Sequence, residues 1–213
     1  MSSLQTDRDL EILATLARRV RVLSTAQVAR TWWRASLDAI GDAQARLSVL
    51  AEAGCLELAT LFARPELAVS VPLATWQPGL PCPDLGAVAY GLQSRWTEPA
   101  RPTRCVIASN STGTRHGGRG GRFPRGTEVT HDLHLARVYL LMREELPTRA
   151  ASWEHEDVAP RLHHEAEGEK VPDAIVRDGL HRTAIEWAGA YPKKKLLAFH
   201  AYCDERRLAY ELW

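Results

Sequence analysis

Two carboxylates near the C-terminal end of the chain have the sequence context of a divalent-metal site. Asp173 lies in the apolar run 171–176, and Glu186 lies in a second such run, 182–187. Carboxylate oxygens suit hard cations such as Mg²⁺, and a bound cation can stabilise charge on a phosphate under attack. Lys193 is the first lysine after Glu186. If the site is active, we expect Asp173, Glu186 and Lys193 to be catalytic, with Mg²⁺ held weakly by the two acids.

The residues around these carboxylates predict a β-hairpin, then a helix, then a strand. An Asp-Gly turn at 177–180 separates the two runs, which is typical of antiparallel strands joined by a tight turn. After Pro192, Leu196, Phe199 and Cys203 are spaced for one face of a helix. Residues 208–213 then predict a strand. This order would place one carboxylate on each of two neighbouring strands.

The first third of the chain predicts three helices followed by a two-stranded ribbon. The helices are expected at 6–19, from 24 to about 33, and at 37–53, and the strands at 55–61 and 67–73. This is the layout of a winged helix-turn-helix, whose third helix enters the major groove of DNA while the wing touches the backbone. The predicted contacts are Arg34, Ser36, Gln44 and Arg46, with Arg64 at the wing tip.

A second basic feature is the glycine- and arginine-rich run at 114–125. Six arginines and no acidic residues lie between positions 101 and 125. A flexible loop of this kind can follow a phosphate backbone. The predicted contacts are Arg115, Arg119, Arg122 and Arg125. The glycines do not form a phosphate-binding P-loop, because no Gly-Lys-Ser/Thr ends the run. The alternative is a solvated loop without a ligand.

Composition sets limits on these interpretations. The formal net charge of +1 excludes a strongly basic protein that coats nucleic acid by charge alone, so DNA affinity must come from local patches. The four cysteines form no CxxC pair, which argues against a zinc site or a disulfide framework and favours the reducing cytoplasm. No apolar stretch is long enough for a membrane span, and no signal peptide is expected.

Histidines occur in two places where a metal site could be considered. His131 and His134 begin a helix predicted from residue 130 to Pro147, where a capping or core role is favoured over metal binding. His163 and His164 alternate with acids in a polar stretch, which favours an exposed surface rather than a metal site.

Four segments together resemble the replication-relaxation family of bacterial mobile-element proteins. They are TDRDLEILATLARRVRVLSTAQVAR at 6–30, ARLSVLAEAGCL at 45–56, THDLHLARVYLL at 130–141, and VPDAIV with AIEWAGAYPKKKLLAFHAYC between 171 and 203. The resemblance implies a winged-helix domain, a nuclease-like domain of the PD-(D/E)xK type, and a role in handling plasmid or integrated-element DNA. That nuclease pattern has a lysine two residues beyond its glutamate, where this chain has Ala188.

We therefore predict an α+β protein with an N-terminal winged helix-turn-helix followed by a restriction-endonuclease-like α/β domain. The expected divisions are a winged helix at 1–75, a proline-rich connector at 76–103, and a degenerate nuclease-like domain at 104–213. The favoured function is binding of double-stranded DNA without a cofactor, with the nuclease-like domain as a scaffold or a homodimer surface. One alternative is a Mg²⁺-dependent endonuclease. Another is a protein-interaction module in which the winged helix and the tryptophans at 32, 33, 76, 96, 153, 187 and 213 bury partner surface.

Overall fold

The computed structural model describes residues 5–156 and 171–213. The chain divides into two compact units, each built from two separate segments. The first unit comprises Met1–Glu66 and Ala100–Leu140, and the second comprises Leu67–Pro99 and Leu141–Trp213. The described residues form eight helices and two sheets, so the protein belongs to the α+β class, as predicted. The stretch around His163 and His164 lies outside the described residues.

Helices of the first unit begin at residues whose side chains cap the chain. Its elements in order are α1 (Asp7–Arg18), β1 (Leu23–Ser24), α2 (Thr25–Trp32), α3 (Ala39–Glu52), β2 (Leu56–Ala63), β4 (Arg101–Ala108), α5 (Asn110–Arg115) and the start of α6 (Val129–Glu145). Thr6 and Asp9 form a capping box at α1, and Ser24 and Gln27 form another at α2. Such reciprocal bonds satisfy backbone N–H groups that the first turn leaves unpaired. These contacts fix where the helices start.

The sheet of the first unit has the order β1-β4-β2, and all neighbours are antiparallel. The partner of β2 is therefore β4, and the prediction of a strand at 67–73 was wrong, because that segment has no regular structure. In β4, Cys105 to Ala108 are all buried. A central strand needs such an uninterrupted apolar run, because both of its faces are covered. Residues 67–73, by contrast, are only partly buried and include Pro72.

The glycine-rich run after α5 packs closely against its own unit. The backbone N–H of Arg119 donates to the carbonyl of Ala17 at 2.9 Å, and that of Gly121 donates to the carbonyl of Ala108 at 2.8 Å. A Cβ atom on Gly118 would collide with the carbonyl of Ala17. The glycines thus permit close backbone approach. The run was predicted to be a flexible loop, and at these positions its backbone is hydrogen-bonded to α1 and β4.

The second unit contains a five-stranded sheet with the order β3-β8-β7-β6-β5. Its elements are β3 (Ala74–Trp76), α4 (Leu85–Ser94), the end of α6, α7 (Pro147–Ala151), β5 (Glu154–His155), β6 (Ala174–Asp178), β7 (His181–Glu186), α8 (Lys193–Glu205) and β8 (Ala209–Leu212). Strands β5, β6 and β7 run antiparallel, whereas β7 and β8 are parallel and are connected through α8. The predicted hairpin, helix and strand are all confirmed as elements.

One apolar cluster joins the helices and the sheet of the second unit. Leu196, Phe199 and Cys203, the predicted inner face of α8, are buried in this cluster together with Leu92 of α4 and Tyr210 of β8. Gly179 has a φ of 62°, which a residue with a side chain rarely adopts, at the turn between β6 and β7. The cluster and the turn together fix the strands that carry Asp173 and Glu186. No helix among the described residues is long and apolar enough to cross a membrane.

Candidate functional sites

A groove of about 420 Å³ in the first unit has four arginines among its lining residues. It lies between the N-terminal turn of α2, the exposed side of α3, and the end of the sheet where β2 finishes and β4 begins. We define the basic groove by six residues of its lining, which are Arg30, Gln44, Arg64, Glu66, Arg101 and Arg104. Four arginines and one acid therefore line the same groove.

The single acid in the basic groove is itself engaged by arginines. Glu66 accepts a hydrogen bond from Nη2 of Arg30 at 2.6 Å and lies 3.6 Å from Nε of Arg137. The register of β2 with β4 places Arg104 opposite Thr60 and Arg101 opposite Ala63, so the strand pairing positions both arginines. An excess of positive charge remains, and the arrangement favours an anionic ligand that can accept hydrogen bonds.

The N-terminal turn of α2 adds to the positive character of the basic groove. Ser24 caps this helix, and Thr25, Ala26 and Gln27 contribute to the lining. The N-terminus of a helix carries partial positive charge, which favours phosphate and carboxylate groups. Thr25 also donates through Oγ1 to the carbonyl of Arg104 at 3.4 Å, so α2 and β4 are joined at this point.

Gln44 and Arg64 are the two predicted DNA contacts that lie in the basic groove. Arg30, Arg101 and Arg104 were missed because the prediction considered α3, the wing tip and the glycine-rich run only. Arg101 and Arg104 did stand in the acid-free stretch 101–125, which is the signal that could have identified them. Arg30 gave no such signal, because its position depends on how α2 packs beside the sheet.

Arg46, another predicted contact, is instead engaged by a buried acid. Its Nε and Nη2 atoms donate to the two carboxylate oxygens of Asp9 at 3.0 and 2.6 Å. The side chain of Asp9 is 1% exposed, and it also accepts from the backbone N–H and the hydroxyl of Thr6. The hydrogen bonds to Asp9 raise the pKa of Arg46. This forked ion pair joins α1 to α3.

The remaining predicted contacts near α3 have different environments. Ser36 donates to Asp42 at 2.6 Å and accepts from the backbone N–H of Asp38, so it helps to form the start of α3. Arg34 is exposed. Of the two, the exposed arginine is the better placed to contact a large anionic ligand.

Arg115, Arg119, Arg122 and Arg125 are all exposed. The glycine-rich run that carries them is hydrogen-bonded to Ala108, the last residue of β4. Arg101 and Arg104 lie in the first half of the same strand. Nearby His116 has a pKa below its ordinary value, because of burial and the positive charges of Arg115 and Arg18. The basic groove and the glycine-rich run are thus two separate basic surfaces of the first unit.

In the second unit, Asp173 and Glu186 lie on neighbouring strands, as predicted. Asp173 immediately precedes β6, Glu186 ends β7, and the register pairs Ala174 with Ile185 next to them. Asp173 is 6% exposed and Glu186 is fully buried. The backbone N–H of Trp187 donates to Oδ2 of Asp173 at 2.7 Å, and the hydroxyl of Tyr191 donates to Oε1 of Glu186 at 2.9 Å.

The lysine beside this pair is Lys195 rather than Lys193. Nζ of Lys195 lies 3.4 Å from the centre of the Tyr191 ring. Burial lowers the pKa of Lys195, and the negative charge of Asp173 partly offsets this effect. Burial, together with the charges of Asp173 and Glu156, raises the pKa of Tyr191. Lys193, by contrast, extends towards the start of α4, with its Nζ 3.7 Å from where a Cβ on Gly86 would be.

Ala188, the position at which the PD-(D/E)xK pattern has its lysine, is part of the apolar core. Ala188 is fully buried within the same cluster as Phe199 and Tyr210. Its backbone N–H donates to the carbonyl of Trp213 at 3.2 Å. A charged side chain could not enter this position without losing its hydration. The sequence correctly indicated that a lysine is missing, and the packing explains why.

The surroundings of the carboxylate pair determine whether it suits Mg²⁺. One oxygen of each acid already accepts a hydrogen bond from Trp187 or Tyr191, and the cation beside Asp173 is an ammonium group. Within residues 5–156 and 171–213, no three histidine, cysteine, aspartate or glutamate side chains converge as a metal site. Mg²⁺ usually needs carboxylates that are open to the ion and its waters. The described residues therefore do not fit the metal.

Arg95 contacts the loop that follows Glu186. Its guanidinium lies 4.1 Å from the centre of the Trp187 ring, and Nη2 donates to the carbonyls of Gly189 and Trp213, both at 3.2 Å. Burial lowers the pKa of Arg95 to about 10, so the group is still charged at neutral pH. Sequence patterns gave no indication of this contact, since Arg95 lies far from the loop along the chain.

Comparisons with protein-family profiles, with curated proteins and with solved structures gave no match to this chain.

Proposed function

We propose that this protein binds double-stranded DNA and that the first unit makes the main contact through the basic groove. The observation that carries this proposal is that Arg30, Arg64, Arg101 and Arg104 line one groove with Glu66, which is itself paired with Arg30. Phosphate oxygens accept about half or more of the hydrogen bonds in protein–DNA interfaces, many of them from arginine. The amide of Gln44, in the same lining, has the donor and acceptor needed to contact a base edge.

The order of elements in the first unit supports the winged-helix interpretation. Three helices, with β1 between the first two, are followed by β2 and β4, and the three strands form an antiparallel sheet. With β4 as the second wing strand, the wing spans residues 56–63 and 101–108, and the chain between them belongs to the second unit. The α2 N-terminus and α3 then flank the same groove as the wing, which suits a duplex backbone.

For the second unit we propose a scaffold role without DNA cleavage. The meander of β5, β6 and β7, followed by α8 and the parallel strand β8, supports the resemblance to the PD-(D/E)xK core. The poor fit to Mg²⁺ and the core position of Ala188 support the absence of catalysis. Together with the resemblance to replication-relaxation proteins, this leads us to propose action on plasmid or other mobile-element DNA in the cytoplasm.

The tryptophans do not favour the protein-interaction alternative. Trp32, Trp33, Trp76, Trp153, Trp187 and Trp213 are each at most 8% exposed, and Trp96 is half-buried. They therefore provide little exposed aromatic surface for a partner.

The proposal is tested by removing two charges from the basic groove. The variant Arg101→Gln/Arg104→Gln retains polar side chains but should lose two phosphate contacts. Anisotropy titrations with a labelled duplex at several salt concentrations should then show weaker binding. The slope of log K against log salt is negative, and its magnitude should decrease by about 1.8, because each of the two lost phosphate contacts contributes roughly 0.9.

The matched control is Lys194→Gln/Arg207→Gln, which removes the same charge from exposed residues of the second unit. Its salt dependence should remain that of the unmodified protein. If both double variants reduce the slope equally, binding follows overall charge and the basic groove is not the DNA site. An unchanged slope in Arg101→Gln/Arg104→Gln would also overturn the proposal.

A further inference from the structure

Strand β2 has a long edge that no other described strand covers. In the order β1-β4-β2, only one side of β2 is paired, and β2 is eight residues long. The other outer strands are much shorter: β1 and β5 have two residues each, and β3 has three. Unpaired backbone groups along a long edge are a template for another strand, and proteins usually protect such edges with lysine, proline or a bulge.

The sequence of β2 has none of these protective features. Its residues, LELATLFA, include neither lysine nor proline, and the register with β4 continues from Leu56 to Ala63 without a bulge. Glu57 is its one charged residue. Phe62 is 65% exposed, although it is a large apolar side chain. Among the described residues, this edge of β2 is therefore unpaired by any strand, almost uncharged and partly apolar.

The pairing with β4 shows which backbone groups of β2 face outwards. Antiparallel partners alternate between hydrogen-bonded and non-hydrogen-bonded pairs. Pro102, opposite Phe62, has no N–H group, and the carbonyl of Arg104, opposite Thr60, accepts from Thr25 on the far side of β4. Thr60 and Phe62 thus belong to the pairs that are not bonded to β4. By alternation, the N–H and C=O groups of Leu58, Thr60 and Phe62 point to the open edge.

We propose that β2 pairs with β2 of a second copy of this chain, which produces a symmetric dimer with a continuous six-stranded sheet. The edge is self-complementary about Thr60. With Thr60 opposite itself on the two-fold axis, the outward groups of the two copies are in register, and Leu58 of each copy faces Phe62 of the other. In this arrangement the exposed Phe62 of each copy is covered by Leu58 of the other copy. It also keeps the two Glu57 carboxylates six residues out of register, so they do not repel each other directly.

Dimerisation through β2 does not depend on DNA binding. Unlike another protein partner, a second copy supplies the matching strand by symmetry, since an isologous interface uses the same surface on both subunits. The six strands of the dimer would lie within the usual range of sheet sizes.

Sedimentation velocity over a range of concentrations tests the proposal. The 23.7 kDa chain should move from monomer to dimer as concentration rises. Thr60→Lys places two like charges opposite each other on the axis and should weaken dimerisation at least tenfold. The matched control is Thr75→Lys, the same change at an exposed threonine of β3, the other accessible edge strand. It should dimerise like the unmodified protein, and circular dichroism should show that both variants are folded.

A cross-linking measurement defines the register. In the Cys82→Ser background, which removes the exposed native thiol, Thr60→Cys should oxidise to a covalent dimer, because a hydrogen-bonded pair places the two Cα atoms about 5.5 Å apart. Phe62→Cys should not, because its two copies are four residues out of register. Three results would each overturn the proposal. The protein could be strictly monomeric, the dimer could be lost in Thr75→Lys but retained in Thr60→Lys, or both cysteine variants could cross-link equally.

Discussion

The ion pair between Asp9 and Arg46 gives a prediction that separates a structural role from a DNA contact. Arg46→Ala leaves the carboxylate of Asp9 buried with only its bonds to Thr6. Removing one partner of a buried ion pair typically costs 3–5 kcal/mol. The side chain of Arg46 is 26% exposed, so water can reach the site. We therefore expect Arg46→Ala to lower the free energy of unfolding by about 3 kcal/mol, the low end of this range. Arg46→Lys retains the charge but not the fork, so a smaller loss is expected.

Urea unfolding followed by tryptophan fluorescence measures this loss, and a duplex-binding titration in the absence of urea measures affinity. The control is Arg18→Ala, because Arg18 is exposed on the same unit. That variant should change the free energy of unfolding by no more than about 0.5 kcal/mol. If Arg46→Ala is as stable as Arg18→Ala but binds DNA more weakly, the structural assignment is refuted and Arg46 contacts DNA.

The same pair should make stability fall in acid. Burial alone would raise the pKa of Asp9, but hydrogen bonds from Arg46 and Thr6 outweigh it, so the pKa lies below its ordinary value. The stabilisation is therefore complete above the unfolded-state pKa, at roughly pH 4, and is lost as the pH falls through the lower folded-state pKa. Asp9→Asn should remove this part of the acid dependence. An unchanged acid profile in that variant would contradict the assignment.

Two further predictions concern the glycine-rich run and the carboxylate pair. Arg122→Gln/Arg125→Gln should weaken binding to all duplex sequences alike and lower the salt slope by up to about 1.8, whereas an unchanged slope would mean that the run does not touch DNA. The unmodified protein should show no saturable Mn²⁺ binding by calorimetry and should not nick supercoiled plasmid. Nicking that disappears in Asp173→Ala would favour the endonuclease alternative instead.

Local sequence patterns predicted the helices and strands of this protein better than they predicted which strands pair with each other. The β6–β7 hairpin, α8 and β8 follow from a turn, a helix-starting proline and apolar spacing, which are all short-range signals. The pairing of β2 with β4 could not be read in the same way, because the two strands are separated by a segment that folds into the other unit. The nearest strand-like run, 67–73, was therefore chosen as the partner.

The ion pair of Arg46 could not be predicted for a related reason. Helical spacing placed Arg46 on the exposed side of α3, where a DNA contact was expected. Its partner Asp9 lies 37 residues earlier, and a tertiary ion pair leaves no trace in periodicity. Arg30, Arg101 and Arg104 were missed in the same way, since three elements must come together before their side chains line one groove.

The carboxylate pair shows which parts of a site can be predicted from sequence spacing. Sequence spacing correctly identified Asp173 and Glu186 as neighbours, because register along a hairpin is a local property. It could not show that Lys195, not Lys193, lies beside them, because that depends on how α8 turns as Leu196 and Phe199 enter the core. With an ammonium group near Asp173 and a tyrosine hydroxyl on Glu186, the protein itself supplies partners that a metal ion would otherwise provide. Lys195→Met removes that cation, so this variant should bind Mn²⁺ if Lys195 is what excludes the metal. If Lys195→Met also fails to bind Mn²⁺, burial of the two acids, and not Lys195, excludes the metal.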